Sequence, residues 1–242
     1  MADYYNSGRS FVREEIEDII IADLILSLGF ALVLSGGLAN AAAKPYAFLA
    51  LMPITIMAVT LSFVLHEYMH KLAAKHFGAV AAFRKSTNGI FFTIMTALFG
   101  FLIGVPGATI IYTSTFTRRE EGYVSLAGPL TNFAVFIVFF IISIVYSSAL
   151  QSSQYLNMAV SVTLFISILL AFFNMLPVYP LDGSKVFRWN KGVFAIMMLI
   201  TFVFFFIAAT LMGIPAILFM IELAFILIIA LVMSLFFNSF RF

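Results

Sequence analysis

Apolar windows about as long as a bilayer is thick recur along this chain, at residues 19–36, 46–70, 89–105, 127–149, 156–177, 193–212 and 214–237. A membrane-crossing helix needs about 20 such residues, and lipid offers the backbone no hydrogen bonds, so a window of this kind must be helical. Charged residues make up only 10% of the chain, against about 25% in a soluble domain. The expected class is an all-α polytopic membrane protein. No hydrophilic block of domain size interrupts the windows. The polar, mixed-charge residues 1–18 are expected to form a cytoplasmic N-terminal tail, and 19–242 a single membrane-embedded domain. With no cysteine, neither a disulfide framework nor thiol chemistry is available.

Charge placement sets the number of crossings, because Lys and Arg concentrate in cytoplasmic loops. The third window, 89–105, is short and rich in glycine, and Pro106-Gly107 follows it. If it does not cross, twelve of the thirteen Lys and Arg share one side, with Lys44 alone on the other. If it crosses, the split becomes six to seven. The first arrangement is expected: six transmembrane helices, both termini cytoplasmic, and a short re-entrant/β element between the second and third helices. Within that element "GATIIYTSTF", residues 107–116, has the β-branched and aromatic alternation of a strand.

One of these apolar runs ends in "LHEYMH", residues 65–70. His66 and His70 are four apart, so on a helix both imidazoles project from one face and can close on a single metal ion. Glu67, beside the first histidine, can act as general base on a metal-bound water and pass the proton to a leaving amine. Retaining two imidazoles and a carboxylate at the end of a span is costly without a function. His76 falls near the end of the helix at Gly78 and reads as an interfacial polar residue.

A catalytic zinc takes three protein ligands and leaves a fourth position for water. Of the eleven acids, most sit in the tail or in a charged loop; beside Glu67, only Asp23, Asp182 and Glu222 lie in or next to spans. With six crossings Asp182, in "FNMLPVYPLDGSK", shares a membrane face with His66 and His70. With seven it would not. Asp182 is therefore the expected third ligand. Asp23 and Glu222 are intramembrane acids with no assigned role.

Together these residues resemble the site-2 protease family of intramembrane zinc metalloproteases. Its pattern pairs H-E-x-x-H with N-x-x-P-x-x-x-L-D-G, matched here by Asn174, Pro177, Leu181, Asp182 and Gly183. "SLAGPLTN", residues 125–132, is a further match. The resemblance implies one catalytic Zn2+ held by His66, His70 and Asp182, with Glu67 as general base and acid. It places Asn174 beside the substrate backbone, and Asn132 near the site or in helix packing. Gly128 and Pro129 are expected to open the third core helix, proline being at home in a first turn.

The implied substrates are transmembrane-helix proteins in the lipid bilayer, unwound near their cytoplasmic ends; nucleic acid has no place in this reading. The strand, through Ile110, Ile111 and Tyr112, is expected to pair with the unwound stretch. Two alternatives stand beside it. One is another membrane zinc peptidase using Glu222 as a ligand, and the other is a non-catalytic membrane metal-binding protein.

Overall fold

A computed structural model describes residues 2–102, 104–112 and 116–239, with 2–10, 222, 229–230 and 233–239 as backbone only. Helices dominate it. Four of them are long and apolar enough to cross a membrane: the rod Pro45–His76, then Arg118–Val145, Gln154–Asn174 and Lys191–Leu211. The first window falls in α1 (Ala2–Leu34) and the last in α11 (Ala216–Ser239); α2 (Leu38–Ala43) and α7 (Ser147–Ser152) are six-residue helices between longer ones.

The rod comprises α3 (Pro45–Val59), a π-helical turn (Thr60–Val64) and α4 (Leu65–His76). A π turn adds a residue to the helical cycle and so rotates everything after it, an irregularity frequent at functional sites. Here it lies immediately before His66 and Glu67. Its polar side chains tie it to both neighbours. Thr60 Oγ1 donates to Asp23 Oδ2 of α1 at 2.8 Å, and Ser62 Oγ meets Ser167 Oγ of α8 (Gln154–Asn174) at 2.6 Å. The rod ends at Gly78, whose φ of 78° only glycine adopts without strain.

The third window forms α5 (Thr87–Leu98), capped by Ser86. Twelve residues of helix reach about 18 Å, too short to cross a core of about 30 Å. The chain then returns as β2 (Gly107–Tyr112), inside the span expected for the strand; residues 113–115 lie outside those described. β2 pairs antiparallel with β1 (Val80–Lys85) in the register Phe83↔Thr109, a partner strand the sequence reading did not anticipate.

The edges of this small sheet are settled by carboxylates. The Phe83 N–H donates to Glu15 at 3.2 Å and the Lys85 N–H to Asp18 at 3.5 Å. Glu15 also receives Lys71 Nζ at 2.6 and 2.7 Å, while Asp18 pairs with Lys85 and Arg84. Residues 11–18 thus belong to the first half of α1, and their acids hold β1 in place.

The helix holding Gly128 and Pro129 differs from expectation. α6 (Arg118–Val145) starts ten residues before Gly128. Thr117 caps it, accepting from the Glu120 N–H while Glu120 accepts from the Thr117 N–H. This reciprocal capping box outcompetes a proline start. Pro129 lies inside the helix instead, where its missing N–H leaves the Ser125 carbonyl without its usual donor.

Two apolar clusters hold the bundle. Phe136, Leu164, Ile168, Phe172, Phe205 and Phe219 join α6, α8, α10 (Lys191–Leu211) and α11. Leu26, Ile54, Val59, Phe63, Phe83 and Ile166 join α1, the rod, β1 and α8.

Candidate metal centre

His66 and His70 follow the π turn on α4, and their imidazoles lie 4.5 Å apart, centre to centre, set edge to face. The third member arrives from 112 residues away. α8 ends at Asn174, a loop with a cis Tyr179–Pro180 bond follows, and Asp182 opens α9 (Asp182–Trp189). Gly183 is fixed by contact and not by a turn conformation: a Cβ there would meet the Met175 carbonyl and lie 2.6 Å from Leu176 O. Only glycine lets α9 start against the end of α8, and that contact carries Asp182 to the histidines.

The three donor atoms converge. His70 Nε2 lies 2.9 Å from His66 Nε2 and 3.1 Å from Asp182 Oδ2, and His66 Nε2 lies 3.3 Å from the same oxygen. All three residues are buried or nearly so. The His70 Nδ1–H donates to the Val124 carbonyl of α6 at 2.7 Å. That bond sets the tautomer and leaves the Nε2 lone pair facing the cluster. Lone pairs crowded this closely repel unless a proton or cation stands among them. Burial works against a charge on Asp182, but the imidazoles beside it, His70 foremost, hold its carboxyl well below the usual range.

Gly128 of α6 forms the floor. A Cβ at this position would stand 2.5 Å from His66 Cε1, 2.6 Å from His66 Nε2 and closer still to His70 Nε2. Gly128 lies in the motif expected to open a helix, but what requires glycine here is the room the two imidazoles need.

Glu67 is 8% exposed. Its Oε2 accepts two hydrogen bonds from Thr109 of β2, one from the backbone N–H and one from the hydroxyl, each at 2.8 Å. A cavity of about 120 Å³ opens beside these groups, lined among others by Asn174, Ile111, Ser125 and Lys185. Strand alternation puts Gly107, Thr109 and Ile111 on the inner face. Ile110 and Tyr112 point outward, 46% and 48% exposed. Of the expected substrate contacts, Asn174 and Ile111 therefore reach the cavity and Ile110 and Tyr112 do not. Asn174 also donates to the Leu170 carbonyl at 3.0 Å. Asp23 is engaged with Thr60, one turn before the site, and the Glu222 side chain lies outside the described residues. Thr109, Val124 and Lys185 escaped the sequence reading; a lone threonine, a backbone carbonyl and a surface lysine carry no pattern.

Apolar helices around a buried His-His-Asp cluster, with a glutamate alongside, define a membrane protein of metallopeptidase type. The comparisons with known proteins agree. The model of "Peptidase family M50" matches residues 54–158 and 141–193. "Putative zinc metalloprotease MJ0611" of Methanocaldococcus jannaschii is 34% identical over 188 residues, 77% of this chain and 90% of that one. "Putative zinc metalloprotease YwhC" of Bacillus subtilis is 30% identical over 153 residues, 57% of this chain and 69% of that one. No solved structure matches the chain. The chain belongs to peptidase family M50, the site-2 protease family.

Proposed function

We propose that the protein is a zinc endopeptidase that cuts a peptide bond within or near the cytoplasmic end of transmembrane helices in its substrates. One observation carries the reading: two imidazole nitrogens and a carboxylate oxygen stand within 3.3 Å of one another, beside a glutamate, in a membrane protein of family M50. Two nitrogens and one oxygen form the ligand set of a catalytic zinc rather than a closed structural one. Zinc held by His66, His70 and Asp182 would polarise the scissile carbonyl and acidify a water molecule there.

The rest falls to the chain's own groups. Glu67 Oε1 has no hydrogen bond among the described residues and is free to take the proton of the attacking water and hand it to the leaving amine. Asn174 and Ile111 line the approach. A helical substrate must unwind before its carbonyl is reachable, and an unwound stretch needs new hydrogen bonds. Glu15 and Asp18 hold two amides on the outer edge of β1, whereas Glu67 holds only that of Thr109 on the edge of β2, so an added strand would join beside Ile111. By alternation the N–H of Ile111 points the same way as that of Thr109. The reading includes six crossings with both termini cytoplasmic, supported by the charge split and by the shortness of α5.

Purified protein in detergent should contain about one zinc per chain and cleave a reporter transmembrane segment. Glu67→Gln should keep the metal and lose hydrolysis. Full activity in that variant would overturn the assignment.

A further inference from the structure

We infer that Thr109 is the positioning residue for Glu67, fixing the carboxylate that the proposed mechanism uses as its base; this rests on Glu67 having that role. Among the described residues, no lysine or arginine pairs with Glu67, and every hydrogen bond made by its carboxylate goes to Thr109. Both bonds fall on the same oxygen. Oε2 is anchored by an N–H and an O–H, and Oε1 is left without a hydrogen bond among the described residues, in a side chain that lines the cavity. The Thr109 hydroxyl also approaches the Glu67 carbonyl at 3.1 Å, so one side chain touches both ends of the residue.

The sheet register makes the contact possible. In an antiparallel pair, residues alternate between exchanging both N–H···O bonds and exchanging none. Phe83↔Thr109 is of the second kind. The Phe83 N–H turns outward to Glu15 and the Thr109 N–H turns outward, on the opposite edge, to Glu67. A slip of one residue would turn Thr109 to the far face and its N–H into the ladder. The position of the base is therefore set by α1, which holds β1, and through β1 by β2. A glutamate has three side-chain torsions, and among the described residues no other hydrogen bond or ion pair holds its carboxylate.

The discriminating pair is Thr109→Val, which keeps shape and backbone N–H but removes the hydroxyl, and Thr109→Ser, which restores it. Thr109→Val should lower kcat on a reporter transmembrane segment about ten- to a hundredfold, the usual cost of losing such a support. KM and zinc content should stay within about twofold, and Thr109→Ser should recover most of the rate. The smaller Thr109→Ala carries the same expectation if valine impairs folding. A second readout needs no turnover: in metal-free protein with 13C-labelled glutamate, the Glu67 carboxylate stretch, identified by its loss in Glu67→Gln, should shift in Thr109→Val and not in Thr109→Ser. Unchanged or faster turnover in Thr109→Val, or a serine variant as slow as the valine one, would overturn the assignment. Glu67→Gln run alongside separates the two layers. If it is inactive while Thr109→Val is fully active, only the role of Thr109 falls; if Glu67→Gln is itself active, the proposed mechanism falls first.

Discussion

Adding one methyl group at Gly128 tests the geometry of the metal centre directly. In Gly128→Ala the new Cβ would lie 2.5 Å from His66 Cε1 and 2.6 Å from His66 Nε2, where ordinary contact begins at 3.4 Å. Something must therefore move by about 0.9 Å. α6 has little room to retreat, because Asn132 and Phe136, further along the same helix, are fully buried. The imidazoles must give way instead, and they are the proposed zinc ligands. Zinc–nitrogen bonds are about 2.0–2.1 Å long and a workable site keeps them within about 0.2 Å. A displacement several times that tolerance should weaken zinc binding on the order of ten- to a hundredfold, or about 1.4–2.8 kcal/mol. Overpacking should cost the metal-free fold about 1–3 kcal/mol as well. Competition with a chromophoric chelator gives the first quantity, and thermal unfolding of the metal-free protein gives the second. If Gly128→Ala bound zinc within twofold of the parent, the close approach of α6 to the ligands would not be what shapes the site.

Other perturbations have equally definite outcomes. Asp182→Asn, which removes the charge but keeps the shape, should lower zinc affinity at least tenfold by the same chelator competition. Glu15→Ala leaves the Phe83 N–H and Lys71 without their carboxylate and should destabilise the protein by about 1–2 kcal/mol, seen as a lower unfolding temperature and faster hydrogen exchange at the β1 amides. Ser62→Ala removes one interhelical hydrogen bond at the π turn. Ser167 still donates to the Thr163 carbonyl at 2.7 Å, so the cost should be only about 0.6 kcal/mol in the same unfolding assay.

Much of the site was legible because its chemistry is local. A helix puts residues four apart on one face whatever surrounds it, so spacing alone makes His66 and His70 candidates to share one metal ion. Asp182 could be named by elimination, since a chain with eleven acids offers few inside its apolar stretches. The strand at 107–112 showed through its alternation. Its partner β1 did not: "VAAFRK" has no clear period of two, and it is a strand because β2 and the carboxylates of α1 satisfy its backbone. The start of α6 was misplaced for a related reason. Pro129 is a strong local signal for a first turn, yet the capping box at Thr117 and the packing of the helix outweigh one missing hydrogen bond.

The sequence by itself therefore determined the solvent, the helices and the candidate ligand atoms, because hydropathy and helical spacing act over a few turns of chain. Only the tertiary structure decided how those atoms meet. Gly183 brings Asp182 to residues 112 positions earlier, Gly128 lets α6 close against both imidazoles, and Val124 selects the His70 tautomer. Thr109 reaches Glu67 from a strand 42 residues on. Each is a contact between distant segments. Gly128 and Gly183 stand in recognisable motifs, but the room they leave matters only once the segments meet, and a backbone carbonyl or a lone threonine leaves no pattern in a string of residues.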